Sequence, residues 1–303
     1  MYDVVIIGSG PAGLTAAIYG CRAQMKLLVV EKNYMSGGQI INTSEVDNYP
    51  GLPGINGFDM AMKFREHAEG LGAEFAEDEI TAIEDRDDCK VLTGLQGTYK
   101  AKNVLFAMGA SHRLLGVPGE STFTGKGVSY CATCDGAFFR NKTAAVVGGG
   151  DVAVEDAIYL ARLCAKVYVI HRRDTLRAAK SLQTRLASFD NVEMIWDSQV
   201  TAIEGEKRVN SIQVYNRKTE KTTTLALDGI FIAVGTVAQS DLARGLVELD
   251  EAGYIKAGED CRTGRKGFFA AGDVRMKKLR QIITAAADGA NAISAIEEEL
   301  EAV

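Results

Sequence analysis

The chain has 303 residues, enough for about two domains of ordinary size, and 47% of them are hydrophobic against 24% charged. That is the balance of a globular protein with buried cores. A net charge of −6 leaves no basic footprint for nucleic acid, and no apolar run approaches the roughly 20 residues of a membrane helix.

The chain opens on "MYDVVIIGSGPAGLTAAIYG". No charged stretch and cleavage site of a secretory leader precede the strand-like run, so a cytoplasmic protein is expected. The run "YDVVIIG" reads as a strand, followed by a glycine turn at Gly8, Ser9, Gly10, Pro11, Ala12 and Gly13, an amphipathic helix, and a second strand ending at Glu31 and Lys32. This is a βαβ unit with the fingerprint G-x-G-x-x-G. Its first glycine allows the tight turn, and its second lets backbone N–H groups approach a pyrophosphate at the helix N-terminus. An acid about 20 residues past the glycines accepts hydrogen bonds from a ribose diol and repels a 2′-phosphate. The first site therefore suits FAD or NAD.

Residues 58–72 have apolar positions at helical spacing, with His67 on the surface of that helix. A strand at 103–110 ends in "GVPGE" at 116–120, a Gly/Pro punctuation. Cys131 and Cys134 follow in a C-x-x-C, the one close pair among six cysteines. In a reducing compartment such a pair means redox chemistry or a metal. Structural zinc needs further ligands nearby, and the three histidines, His67, His112 and His171, all lie far off in sequence. A redox dithiol with no metal is expected. Cys21, Cys89, Cys164 and Cys261 read as small buried hydrophobes.

A second fingerprint follows at once. Residues 141–172 repeat residues 1–32 at a constant offset of 140, so that Gly148 matches Gly8, Gly150 matches Gly10, and "AIY" at 17–19 recurs at 157–159. Gly148, Gly149, Gly150, Asp151 and Ala153 form a G-x-G-x-x-A turn. Its second strand ends not in an acid but in "HRRDTLR", with His171, Arg172, Arg173 and Arg177. Guanidinium forks match phosphate oxygens, so this site suits NADPH. A strand at 229–236, the run "GFFAAGDV" at 267–274 and a helix over 279–301 complete the chain. The last segment is too short for a domain and is expected to complete the N-terminal body. The fold class expected is α/β, with two Rossmann-like dinucleotide-binding domains. The outer domain is discontinuous, residues 1–115 and 244–303, and residues 116–243 are inserted into it with the dithiol.

With "GSGPAG" at 8–13, "GGQI" at 37–40, "NYPG" at 48–51, "CATCD" at 131–135, "GGGDVAVEDA" at 148–157, "HRRDTLRA" at 171–178, "AAGDV" at 270–274 and "RQIITAAADG" at 280–289, the chain resembles the low-molecular-weight thioredoxin reductases of the flavin disulfide-reductase group along nearly its whole length. The resemblance implies an NADPH-dependent thioredoxin-disulfide reductase with one non-covalent FAD per chain, a homodimer whose partner is thioredoxin or a thioredoxin-like protein. It makes the outer domain the FAD domain. There the first glycine loop and Glu31 would hold the FAD diphosphate and adenosine ribose, with Lys32 also among the FAD-binding residues. Gln39 and Asn48 would lie toward the flavin, Asp273 at the ribityl or diphosphate portion, and Arg280 and Gln281 beside the isoalloxazine, with Gly38, Gly109, Gly272 and Ile282 also among the FAD-binding residues. A helix start there would favour the anionic reduced ring. Val152 stands where the family often has Ser or Thr.

The resemblance also assigns roles around the dithiol. Cys134 faces the flavin, Cys131 attacks the partner's disulfide, and Asp135 exchanges a proton with the leaving thiolate, its pKa raised by the apolar "AFF" that follows. Because the dithiol and the NADPH loop share one domain, rotation about connectors near 114–120 and 236–245 is expected. A ferredoxin-linked or small-disulfide reductase is the alternative enzyme, which the intact arginines disfavour. A flavin redox sensor is the alternative outside catalysis, and the chain lacks the extra partner-binding segments it would need.

Overall fold

The computed structural model describes residues 1–43, 46 and 48–302, with only the backbone of Asn42. They form two units, residues 1–111 with 237–303, and residues 112–236. The sequence-based limits, 115/116 and 243/244, lie a few residues further on. Packing accounts for both differences: the amides of Leu115 and Gly116 bond within the second unit, and Ala243 is fully buried in a core with Ile255, Phe268 and Val274 of the first. At the crossings, strand Ala110–His112 pairs with strand Thr236–Ala238.

In the first unit, strands Glu74–Glu77, Leu27–Glu31, Tyr2–Ile7 and Thr98–Phe106 run parallel in that order. Strand Phe268–Ala270 adds to the far end of Thr98–Phe106, in register Leu105↔Phe269. Strands Lys90–Gly94 and Ile80–Asp85 extend the sheet antiparallel. The central strands are continuous Val/Ile/Leu runs because both faces are covered. On one face, helices Pro11–Arg22 and Ile282–Glu301 share a core with Val4, Ile6, Val29 and Phe269. Ile6 and Leu14 are fully buried, each contributing about 1.5–3 kcal/mol. The two helices meet closely: a Cβ on Gly289 would stand 2.2 Å from the Ala12 carbonyl oxygen. Pro11 opens the first helix where its missing N–H costs nothing. Helix Gly57–Gly70 follows, with His67 exposed.

The second unit repeats the plan. Strands Val192–Ile195, Lys166–Ile170, Thr143–Gly148, Gly229–Ala233 and Val128–Ser129 are parallel in that order. Helix Asp151–Ala161 covers one face through Ala153, Val154, Ala157 and Leu160. The other face is covered by an antiparallel sheet, Ser198–Gly205, Val209–Asn216 and Lys221–Ala226, through Val200, Ile203, Ile212 and Val214. In chain order this three-stranded sheet matches the antiparallel strands Ile80–Asp85, Lys90–Gly94 and Thr98–Phe106 of the first unit, and it carries no fingerprint in the sequence.

Candidate functional site

In the first unit the expected loop is a tight strand-to-helix turn. A Cβ on Gly13 would stand 1.9 Å from the Gly8 carbonyl oxygen, so the third glycine of the fingerprint sets the helix against the turn. At Gly10 a Cβ would meet nothing nearer than the Gly37 oxygen at 4.0 Å, which leaves the loop open where a diphosphate would approach. Glu31 bonds to this loop directly: its Oε2 accepts from Ser9 N at 2.9 Å and Ser9 Oγ at 2.8 Å, and its Oε1 from the amide and side chain of Asn33, both at 2.9 Å. Lys32 stands exposed, 3.9 Å from Glu79. Gly38 and Gln39 begin the 3₁₀ turn Gly38–Asn42, and the Gln39 amide donates to the Ala110 carbonyl. Gly109 accepts from the Gln239 amide at 3.0 Å.

Asn48 Nδ2 donates to Gln281 Oε1 at 2.9 Å. Gln281 caps the last helix reciprocally with Thr284, and Ile282 is that helix's first residue. Arg280 donates to the carbonyl of Asp273 and lies over the Tyr254 ring at 3.9 Å. Gly272 and Asp273 form a short 3₁₀ turn held by a residue that sequence reasoning missed. The Asp288 carboxylate accepts from Gly272 N at 2.9 Å, from Arg275 Nε at 2.7 Å and Nη2 at 2.6 Å, and from Lys277 Nζ at 2.8 Å. Burial works to raise the Asp288 pKa, but the hydrogen bonds from Arg275 and Lys277 outweigh it and hold the carboxyl below its ordinary value. An acid in the Ala-rich stretch "ITAAADGANAI" is the signal that could have found it.

In the second unit Cys131 and Cys134 are joined as a disulfide, Cα atoms 5.3 Å apart, across the short helix Ala132–Asp135. Burial pushes the Asp135 carboxyl up, and a hydrogen bond from Ser129 pulls against it. That Ser129 hydroxyl is itself buried, donates to Asp135 Oδ2 at 2.6 Å and accepts from the Cys131 amide at 3.1 Å. Nothing in "GVSYC" marked Ser129 beforehand, because an isolated serine has many ordinary uses.

The second glycine loop is open at its second glycine too: a Cβ on Gly150 would meet only Arg177 Nη2, at 3.9 Å. Asp151 Oδ1 accepts from the Ala179 amide at 2.8 Å, and the Arg177 amide donates to Gly149 O at 2.7 Å. These two bonds fasten the arginine segment to the loop. Ala153 packs against Gly148. Arg172, Arg173 and Arg177 are exposed and form no ion pair among the described residues. His171 differs from them. Its ring is buried under the loop, where a Cβ on Gly149 would strike it at 2.3 Å. Burial, with the neighbouring arginines, lowers its pKa against a bond to the Thr175 backbone, so the ring is neutral at pH 7.

Two buried side-chain atoms among the described residues have no hydrogen-bond partner: Asp273 Oδ1 and His171 Nε2. One belongs to each expected nucleotide site. Buried polar atoms without partners are uncommon, and a polar ligand beside each loop would satisfy them. The open second glycines and these two atoms fit a dinucleotide in each unit.

Residues 2–289 match the family model described as pyridine nucleotide-disulphide oxidoreductase. The chain is 46% identical over its whole length to a thioredoxin reductase of Peptoclostridium acidaminophilum, covering 98% of that protein. Among solved structures, thioredoxin reductase from Streptococcus pyogenes is 46% identical, with 100% of this chain and 99% of that one covered and a TM-score of 0.94. Lactococcus lactis thioredoxin reductase in its "FR conformation" is 45% identical, with both chains fully covered and a TM-score of 0.71. The chain belongs to the pyridine nucleotide-disulphide oxidoreductases and, within them, to the thioredoxin reductases.

Proposed function

We propose that the chain is an NADPH-dependent thioredoxin-disulfide reductase that carries its electrons through the Cys131–Cys134 pair. The observation that carries this reading is the disulfide itself, set beside a half-buried acid in the same unit as the arginine-flanked glycine loop. FAD, bound without a covalent link in the first unit, supplies the passage from hydride transfer to thiol chemistry.

The chain's own residues do the rest. Gly8 to Gly13, Glu31, Gln39, Asn48, Asp273 and the start of the last helix bind and orient that group. Gly148 to Gly150 hold the NADPH diphosphate, and Arg172, Arg173 and Arg177 its 2′-phosphate. Once the disulfide is reduced, the Cys131 thiolate attacks one sulfur of the thioredoxin disulfide. A mixed disulfide forms and the other thioredoxin sulfur leaves as thiolate. Asp135, whose pKa burial raises, delivers a proton to it. The Cys134 thiolate then attacks Cys131 Sγ, restoring the internal disulfide and releasing the second thioredoxin sulfur as a thiolate.

Rotation of residues 112–236 between the half-reactions is part of this reading. Two solved relatives of nearly equal identity that match this chain at TM-scores of 0.94 and 0.71 support it. Four free cysteines beside one disulfide support a reducing, cytoplasmic setting. The homodimer rests on the family resemblance, and sedimentation tests it. The decisive experiment is NADPH oxidation by the flavin-loaded protein with and without thioredoxin. Turnover that ignores thioredoxin would refute the assignment.

A further inference from the structure

The segment "GVPGE" reads in sequence as punctuation between domains, yet its last residue is one of the few buried charges. Glu120 is 4% exposed and has no cation beside it among the described residues. A carboxylate in that position is costly unless donors surround it. Three do: the amides of Leu115 at 3.0 Å and Gly116 at 2.7 Å, and the Tyr130 hydroxyl at 3.0 Å. The first two belong to the connector that enters the second unit. The third belongs to the residue next to Cys131.

Tyr130 touches the connector a second time. Its ring stacks on the His112 ring, centroids 4.9 Å apart and planes within 13°. Burial lowers the His112 pKa, so this is a stack on a neutral ring. Burial and the Glu120 carboxylate push the Tyr130 phenol up to about 12, so it stays a donor at working pH. The connector is fixed from its other side as well. Gly119 has φ +87°, and a Cβ there would strike the Ile203 carbonyl oxygen at 1.9 Å. The Ile203 amide donates to Pro118 O at 2.9 Å. The strand that delivers the dithiol is short. Val128–Ser129 is a two-residue edge strand, paired with Ile230 and Phe231 and bridged to Thr124.

We propose that Glu120 and Tyr130 are positioning residues for disulfide exchange: they lock the connector at 112–116 to the segment between strand Val128–Ser129 and Cys131, so that connector and dithiol turn as one piece. This role rests on the functional reading above. It also shortens the expected hinge, because residues 115–120 are fastened into the second unit and the pivot falls back to the paired strands at 110–112 and 236–238. The glycine loop that takes NADPH is reached through strand Thr143–Gly148, outside the lock, and keeps its geometry when the lock opens.

The test uses the holoenzyme with Tyr130→Phe, which keeps the ring on His112, with Glu120→Gln, and with the double variant. We expect kcat with thioredoxin to fall about five- to tenfold in each single variant, the scale of one hydrogen bond. The KM for NADPH and the rate of flavin bleaching by NADPH stay unchanged, and the double variant loses no more than the worse single one. In Glu120→Gln, hydrogen exchange at the Leu115 and Gly116 amides speeds up. Faster exchange with unchanged kcat overturns the proposal, as do additive losses or a parallel fall in flavin bleaching. Failure of the unmutated enzyme with thioredoxin overturns the functional reading instead, and this role with it.

Discussion

Ser129 Oγ donates to Asp135 Oδ2 at 2.6 Å while accepting from the amide of Cys131 at 3.1 Å. One buried hydroxyl thus joins the backbone of Cys131 to the carboxyl group proposed above as the proton donor. The hydrogen bond favours the ionised carboxylate and opposes the upward push of burial. Ser129→Ala should therefore leave burial unopposed and make Asp135 titrate at higher pH. With Asp135 as the acid in thioredoxin reduction, the alkaline limb of kcat against pH should move upward, and Ser129→Thr should restore it. An unshifted profile in Ser129→Ala would remove the serine from proton control.

Asp288 should prove costly to neutralise. Its carboxylate is 3% exposed and holds Arg275, Lys277 and the Gly272 amide. Asp288→Asn leaves two cations poorly matched, a loss of about 3–5 kcal/mol at neutral pH. The sign with pH follows from the lowered carboxyl. Its contribution is complete above the ordinary value of 3.8 and is lost as pH falls through the lower folded value. The difference in Tm between wild type and variant should therefore shrink only in strong acid. Because Gly272 leads into Asp273, the variant should also release FAD more readily on dialysis. Equal flavin retention would confine Asp288 to stability alone.

The exposed guanidinium groups of Arg172, Arg173 and Arg177 should set the choice of nicotinamide. Charge-assisted hydrogen bonds contribute about 1.5–3 kcal/mol each, so two of them on one phosphate favour NADPH by about 100-fold or more. Arg172→Ala with Arg173→Ala should raise KM for NADPH and leave KM for NADH nearly untouched. A similar rise for both would mean that the arginines contact no 2′-phosphate.

The two cysteines should fail differently. Cys131→Ser and Cys134→Ser both leave hydride uptake from NADPH intact and both abolish multiple turnover of thioredoxin. Cys134→Ser alone should trap thioredoxin as a mixed disulfide through Cys131, seen as a mass shift that dithiothreitol reverses. Trapping by Cys131→Ser instead would exchange their roles. Cys164 and Cys261 should resist alkylation throughout, since burial pushes their thiols up to about 11 and about 12.

The glycine turns, the acid at Glu31 and the arginines after the second fingerprint were legible because each is local: a few residues at fixed spacing carry the signal. The repeat at an offset of 140 made them mutually supporting. Ser129, Asp288 and Glu120 were not legible in the same way. Each acts on partners that folding brings to it, as Asp288 does on Gly272 16 residues away and Glu120 on Tyr130 10 residues away. His171 was read with the arginines because it adjoins them in sequence. Alternation along the strand end turns its ring inward under Gly149 while Arg172 stays exposed. The three-stranded sheet of the second unit escaped notice because its alternating Val/Ile pattern carries no glycine signature.

The paired crossings also make the chain divisible. Strands Ala110–His112 and Thr236–Ala238 lie side by side, so the intervening segment begins and ends at neighbouring points of the backbone. A recombinant exchanging 112–236 between relatives would rejoin ends that already meet. Nucleotide preference and the dithiol would travel together in that cassette, and the flavin would stay with the host. Descent by shuffling of such a piece would leave its seams at these two strands.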